Sequence, residues 1–329
     1  MPQQLLSPGN RPIHYLRISV TDRCDMRCMY CMPAEGLPFM PADTYLSNEE
    51  IARIVRVAAV MGVFKVRLTG GEPLMRSGIV DLVRLIAEAP GIREVALSTN
   101  CSVLERYARP LKDAGLGRIN ASLDTLDARQ FKEITRGGSL ARTLAGLDAA
   151  ERTGLTPIKI NAVIMRGIND DQVAPLVDLG VRRQWQVRFI EYMPIGCSQG
   201  LWESRFIPAQ EILGMIGERF PLEELPMRPG DPARIYRVVG STATVGVITP
   251  VSQHFCDTCN RLRVTADGKI RSCLLVEGEV DLKRMMRDGC SDEEIGTVLA
   301  QAAALKPEWH GVGRGMRSMA TEAMREIGG

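Results

Sequence analysis

Six short β-rich runs, at residues 15–20, 65–69, 94–98, 118–122, 158–163 and 186–190, mark out the first two-thirds of the chain, with helical patterns between them. The clearest helical stretches fall at 48–60, 79–87 and 140–151. Ser47 reads as an N-cap with Glu50 three residues on, a capping box that satisfies two backbone donors reciprocally. Strands that recur every roughly 25–40 residues with a helix between cannot be tight hairpins and must run parallel through crossovers. Six such units predict an α/β fold, an incomplete (βα)6 TIM-like barrel that stops short of eight-unit closure. In parallel βα sheets ligand sites form at the C-terminal ends of the strands.

From about Pro208 the pattern changes: prolines cluster at 221–232, short strands are expected at 235–239 and 245–248, and polar helical segments run to the end. This divides the chain into a partial barrel over 1–207 and an extension over 208–329 that covers the open side. No apolar run approaches the roughly 20 residues that cross a bilayer. Net charge is only +2 and aromatics are 5%, which argues against nucleic acid and membrane partners and against base-stacking platforms. A small anionic ligand caught by a local basic cluster fits better.

Cys24, Cys28 and Cys31, spaced by three and then two residues, form the sharpest motif. Three thiolates in one short loop can hold three corners of a cubane iron–sulfur cluster, and no fourth cysteine follows to close the last corner. Structural zinc wants four ligands, and His14 is too far upstream to join this loop. A second trio, Cys256, Cys259 and Cys273, has His254 just ahead of it, so a one-His, three-Cys zinc site and a second cluster both fit. The nine cysteines are an odd number, and the N-terminal residues lack the sections of a signal peptide. A reducing, cytoplasmic setting is expected, where thiols serve as ligands more often than as disulfides. Cys101, Cys197 and Cys290 read as spare thiols.

After the second strand, Thr69-Gly70-Gly71-Glu72-Pro73 makes a sharp turn. Its glycines permit positive φ and close backbone approach, and Pro73 holds Glu72 extended. Such a turn can aim carbonyls at a ligand ammonium. There is no phosphate loop of the GxxxxGK[ST] kind and no Rossmann fingerprint. Arg261 and Arg263 alternate on an extended segment and so share a face. Arg17, Arg67 and Lys159 fall on or near strands, where an inward basic side chain is costly without an anion. Arginine forks match phosphate oxygens, and Lys65 is a weaker candidate for the same role.

Cys24-Asp25-Met26-Arg27-Cys28-Met29-Tyr30-Cys31 together with Gly70-Gly71-Glu72-Pro73 resembles the signature of the radical S-adenosylmethionine (SAM) enzymes. Cys256-Asp257-Thr258-Cys259-Asn260-Arg261-Leu262-Arg263, Asp267-Gly268, Cys273-Leu274 and the terminal Gly328-Gly329 are similar to the GTP 3′,8-cyclase family of molybdenum cofactor biosynthesis. The resemblance spans essentially the whole chain. It implies a partial barrel of radical SAM type, a lyase, with two [4Fe-4S] clusters on Cys24, Cys28, Cys31 and on Cys256, Cys259, Cys273. It assigns SAM to Tyr30, Gly71, Ser122 and Met193, and GTP to Arg17, Arg67, Ser98, Lys159, Arg261, Leu262 and Arg263. Arg17, Arg261, Arg263, Gly328 and Gly329 take catalytic parts, the two glycines by threading into the pocket. Two departures stand out: Ser98 replaces a usual threonine, and Cys101 stands where glycine is common.

The reaction implied starts with transfer of a hydrogen atom from ribose C3′ to a 5′-deoxyadenosyl radical. C3′ then bonds to guanine C8, and reduction gives 3′,8-cyclo-7,8-dihydro-GTP. The partners implied are GTP, an electron donor and a downstream pterin-forming enzyme. The rivals are another two-cluster radical SAM enzyme, such as a peptide-modifying maturase, and a zinc-stabilised binding protein without catalysis.

Overall fold

The computed structural model describes residues 4–195, 202–227, 230–276, 279–312 and 324–327. A two-stranded hairpin, β1 (Leu6–Ser7) and β2 (Arg11–Pro12), precedes six strands in sequence order: β3 (Tyr15–Ser19), β4 (Lys65–Thr69), β5 (Glu94–Thr99), β6 (Arg118–Ser122), β7 (Lys159–Ile164) and β8 (Gln186–Glu191). Each of these pairs in parallel with the next. The helices between them are α1 (Asn48–Val60), α2 (Ile79–Ala87), α3 (Leu104–Asp113), α4 (Ala128–Thr135), α5 (Leu140–Arg152) and α6 (Val173–Arg183).

The six expected strands are therefore present. The later segment does more than cover an opening, because it supplies strands to both ends of the same sheet. After α7 (Trp202–Arg205) and α8 (Ala209–Gly217) come β9 (Leu222–Glu224), β10 (Ala233–Val238) and β11 (Thr244–Ile248), and β11 pairs in parallel with β8. Next follow β12 (Arg261–Val264), β13 (Lys269–Arg271) and β14 (Glu279–Asp281), and β12 pairs in parallel with β3. The order β14-β13-β12-β3-β4-β5-β6-β7-β8-β11-β10-β9 contains eight consecutive parallel strands with antiparallel margins. β14 and β9 are its two edges, so the barrel stays open. Helices α9 (Leu282–Arg287), α10 (Asp292–Ala304) and α11 (Met324–Ile327) complete the described chain.

Side chains alternate across each strand, and this decides where the core lies. Leu16, Ile18, Val66, Leu68, Leu97, Ile119, Ile160, Val187, Phe189 and Leu262 belong to one apolar core shared with the helices. The helix α1 shows the matching stripe, with Ile51, Ile54, Val55 and Ala58 buried at helical spacing. It starts with the predicted capping box: the Glu50 N–H donates to Ser47 Oγ at 3.1 Å, and the Ser47 N–H donates to Glu50 Oε2 at 2.7 Å. The alternate strand positions, Arg17, Arg67, Ser98, Asn120, Lys159 and Arg188 among them, line an internal cavity instead. Parallel strands covered on both faces usually read as unbroken apolar runs. These do not, because the barrel lumen is kept for polar groups. Among the described residues no helix is long and apolar enough to cross a membrane.

Candidate functional site

The lumen is a cavity of about 870 Å³ lined by both cysteine trios. Strand register places the trios at opposite ends. Cys24 follows β3, at the C-terminal end of the parallel strands. Cys259 lies two residues before Arg261, which pairs with Tyr15 at the start of β3. β13 runs antiparallel to β12 and brings Cys273 to that same end. The five residues of β3 set about 13 Å between the two ends, at 3.3 Å per residue.

The first end is built on close backbone contacts. The Gly71 N–H donates to the Thr21 carbonyl and the Glu72 N–H to the Arg23 carbonyl, both at 2.7 Å. A Cβ on Gly70 would stand 2.4 Å from the Thr21 oxygen, and one on Gly71 would stand 2.3 Å from the Arg23 oxygen. Gly70 also has φ +149°. The glycine pair is thus required by the lead-in to the cysteine loop, in addition to any ligand. Glu72, extended as expected, is buried and accepts from Thr99 Oγ1 at 2.8 Å, the Asn100 N–H at 2.7 Å and the Leu74 N–H at 3.1 Å. Burial raises its pKa to about 7. Thr99 is turned to this carboxylate, whereas Ser98 pairs in register with the lumen residue Asn120 and itself lines the cavity.

Tyr30 donates its hydroxyl to Asp124 Oδ2 at 2.8 Å, and the other Asp124 oxygen accepts from the Val163 N–H at 2.9 Å. Burial pushes the Asp124 carboxyl up to about 6. Ser122 ends β6, Met193 follows β8, and both line the cavity at this end together with Tyr30 and Gly71. The Met26 N–H donates to Cys24 Sγ at 3.4 Å, and Asn100 Nδ2 lies 3.9 Å from the same sulfur. Burial raises Cys24 to about 12 and Cys28 well above the ordinary thiol range, and nearby carboxylates add to both shifts.

The second end is cationic. In register, Arg263, Arg17 and Arg67 form one row across β12, β3 and β4. Burial, and then the neighbouring arginine, lowers Arg17 to about 9; burial does the same to Arg67. Burial with Arg261 beside it brings Arg263 to about 10. Among the described residues, nine Lys and Arg side chains but four carboxylates line the cavity, a surplus that calls for a polyanion. Lys159 is brought down to about 7 by burial and by Arg188 and Arg118. Arg188 has Asp231 at 3.3 Å, and Arg118 has Glu94 at 2.7 Å. Arg261 is engaged locally: its Nη2 lies 3.4 Å from Cys259 Sγ and its guanidinium stacks over Phe255 at 4.9 Å. Burial alone would raise Cys259, but Arg261 and Lys306 outweigh it and bring the thiol to about 6.

Of the described residues assigned to SAM, GTP or a cluster in the sequence, Leu262 alone is placed off the cavity. Its side chain faces the opposite side of β12 and is buried in the apolar core, so its approach to a ligand is limited to the main chain. Gly328, Gly329 and Cys197 lie outside the described residues. Cys101 is core-buried with φ +63°, which accounts for a position that suits glycine. Cys290 packs against the core margin. Arg118, Arg188, Asp124 and Lys306 were not anticipated. Arg118 and Arg188 follow the same strand alternation as Arg67, and that pattern could have found them. Lys306 has no local signal.

The donor sets suit iron–sulfur clusters: three free thiols at each end, with N–H groups directed at the sulfurs of Cys24 and Cys259. Among the described residues no three His, Cys, Asp or Glu side chains converge as a lone metal ion requires. His254 stacks near Trp309 and His310 instead of lining the cavity. Tyr15 Oη, Arg67 Nε, Asn120 Nδ2, Asn161 Oδ1 and Asn260 Oδ1 are buried without a described partner, and all five residues line the cavity. Their mixture of donors and acceptors fits a highly polar ligand.

Comparison with known proteins gives two family matches. The Radical SAM superfamily profile matches residues 18–180, and the Molybdenum Cofactor Synthesis C profile matches residues 185–312. The chain is 47% identical to the GTP 3′,8-cyclase of Moorella thermoacetica over 97% of its own length and 98% of the relative's. It is 48% identical to the GTP 3′,8-cyclase of Pelotomaculum thermopropionicum with the same coverage. Among solved structures, Streptococcus suis SuiB bound to precursor peptide SuiA superimposes with a TM-score of 0.58 at 17% identity, covering 88% of this chain and 68% of that one. That likeness shows the fold.

Proposed function

The chain belongs to the GTP 3′,8-cyclase family of the radical SAM superfamily, and from that premise we propose that it converts GTP to 3′,8-cyclo-7,8-dihydro-GTP, the first step of molybdenum cofactor biosynthesis. As a radical SAM protein it uses SAM and an iron–sulfur cluster. The observation that carries the reading is the polarised lumen, with carboxylates around one cysteine trio and a row of arginines leading to the other. SAM carries net positive charge and GTP several negative charges, so the two ends suit the two molecules in one order only.

In this reading Cys24, Cys28 and Cys31 hold the cluster that binds SAM, and Cys256, Cys259 and Cys273 hold a second one on the extension over 208–329. When bound, the first cluster and SAM supply a 5′-deoxyadenosyl radical that takes the hydrogen atom from ribose C3′. Asp124 holds Tyr30 at the SAM end, and Gly71, Ser122 and Met193 complete that wall. Arg17, Arg67, Arg263 and Lys159 clamp the triphosphate, with Ser98 beside them. Holding C3′ and C8 in attack range is the main work of these residues, and the apolar shell outside the lumen keeps water from quenching the reaction.

The balance is simple. C3′ loses one hydrogen atom to form 5′-deoxyadenosine, the C3′–C8 bond forms, and one electron and one proton restore the closed shell. The product thus has the mass of GTP. Gly328 and Gly329 take a catalytic part by resemblance to the family; of the described residues near them, Met324 lines the cavity and Ile327 is buried beside Leu275 and Ile195. An electron donor feeds the first cluster, and a pterin-forming enzyme takes the product.

The test is anaerobic: reconstituted protein, dithionite and SAM, with and without GTP, assayed for 5′-deoxyadenosine and for a species isobaric with GTP but separable from it. Stimulation by GTP with formation of that species is expected. Cleavage of SAM that ignores GTP would overturn the substrate assignment.

A further inference from the structure

Lys306 lies just beyond α10 and is 4% exposed. Its Nζ donates to the Arg261 carbonyl at 2.9 Å and to the Ser272 carbonyl at 2.7 Å. Those carbonyls stand two residues after Cys259 and one residue before Cys273. A single ammonium group therefore ties together the two segments that carry these thiols. No carboxylate pairs with it among the described residues, although an isolated buried ammonium is strongly disfavoured. The sulfurs of the second trio are its neighbours instead, and Cys259 and Cys273 oppose the effect of burial on Lys306. An ammonium has three N–H bonds, and the two carbonyls take two of them.

We infer that Lys306 is a positioning residue for the second iron–sulfur cluster, locking the Cys259 and Cys273 segments at one spacing and supplying a fixed charge that favours the cluster's reduced form. This rests on the reading of the second trio as a cluster site. A cluster on three thiolates gains negative charge on reduction, and a nearby cation in a low-dielectric wall stabilises that form. Arg261 also reaches Cys259, but its guanidinium lies at the end of a long side chain facing the lumen. The Lys306 charge is anchored by two main-chain carbonyls and stays where the fold puts it.

The experiment uses the full chain with Cys24→Ala, Cys28→Ala and Cys31→Ala, so that every cluster signal comes from the second trio. Redox titration followed by electron paramagnetic resonance compares this protein with the same protein carrying Lys306→Gln, which keeps a donor for the carbonyls and removes the charge. The expected result is at least a tenfold fall in the reduced-to-oxidised ratio at fixed poise, which is 59 mV for one electron. Lys306→Arg should recover most of it. Loss of iron from the second site alone in Lys306→Gln, with the first cluster retained when its cysteines are restored, supports the clamp. A Lys306→Gln protein that holds its cluster and titrates within twofold of its parent overturns the inference. Should Lys306→Gln not fold, Lys306→Met must show the same shift or the same loss of iron, and equality with the parent overturns the inference equally. Absence of iron from the parent protein, or zinc in its place, sinks the cluster reading itself and is distinguishable from both.

Discussion

The two ends of the lumen each hold three thiols, in opposite electrostatic settings. Around the first trio, Glu72, Asp25 and Asp124 add their negative charge to burial and drive the Cys24 and Cys28 thiols upward. Around the second, Arg261 and Lys306 draw Cys259 down to about 6. The ligand atoms are identical, so the thiols by themselves do not set the two environments apart. The difference comes from which end of the parallel strands each trio occupies, and it is the basis of the proposed placement of SAM at one end and GTP at the other.

The strongest test of this contrast removes one thiol at a time. Cys28→Ala should abolish reductive SAM cleavage, a loss on the order of a thousandfold or more, because no other group replaces the missing chemistry. Cys259→Ala should leave SAM cleavage measurable while eliminating the GTP-derived product. Quantifying 5′-deoxyadenosine and nucleotide product in parallel checks both, and equal loss of cleavage in the two variants would break the contrast. Arg67→Ala should weaken GTP binding by about 2–3 kcal/mol, roughly 30- to 150-fold, and leave SAM affinity unchanged in anaerobic calorimetry.

Smaller effects follow from titration. Lys159 titrates near pH 7 in the free protein because burial, Arg188 and Arg118 oppose its charge. A phosphate beside it raises that value, so binding above pH 7 must take up a proton. GTP affinity should then fall by up to tenfold from pH 7 to pH 8, and Lys159→Met should bind more weakly but without this slope. The SAM end should respond in the opposite direction. Asp124, at about 6, loses its charge on acidification, so SAM should weaken several-fold between pH 7 and pH 5.5. The smallest effect is Asp124→Asn at pH 7.5. Loss of the charged acceptor for Tyr30 should cost about 1 kcal/mol, roughly fivefold in SAM affinity, with GTP binding unaltered.

Much of the fold was legible in residue order. Strand boundaries within one or two residues, the Ser47–Glu50 capping box and the parallel crossovers all depend on short-range patterns, and each is present. The lumen could also have been read more fully, because Arg118 and Arg188 share the alternation that exposed Arg17 and Arg67. Other features carried no local trace. Within the extension, β11 and β12 join opposite ends of one sheet, a pairing between residues far apart in the chain. The glycine pair lines the cavity, and its close packing on the backbone of residues 21–23 has no trace in the local sequence.

Residue order settled what is periodic or contiguous: strands, helices, the cysteine motifs and the family they mark. Tertiary structure decided what depends on distance across the barrel. It set the two trios at opposite ends of β3, gathered nine cations into one lumen, turned Leu262 away from it, and buried Lys306 against carbonyls from two strands. The physical reason is that electrostatic environment and burial are sums over neighbours in space. Only closure of the sheet around the lumen brings those neighbours together.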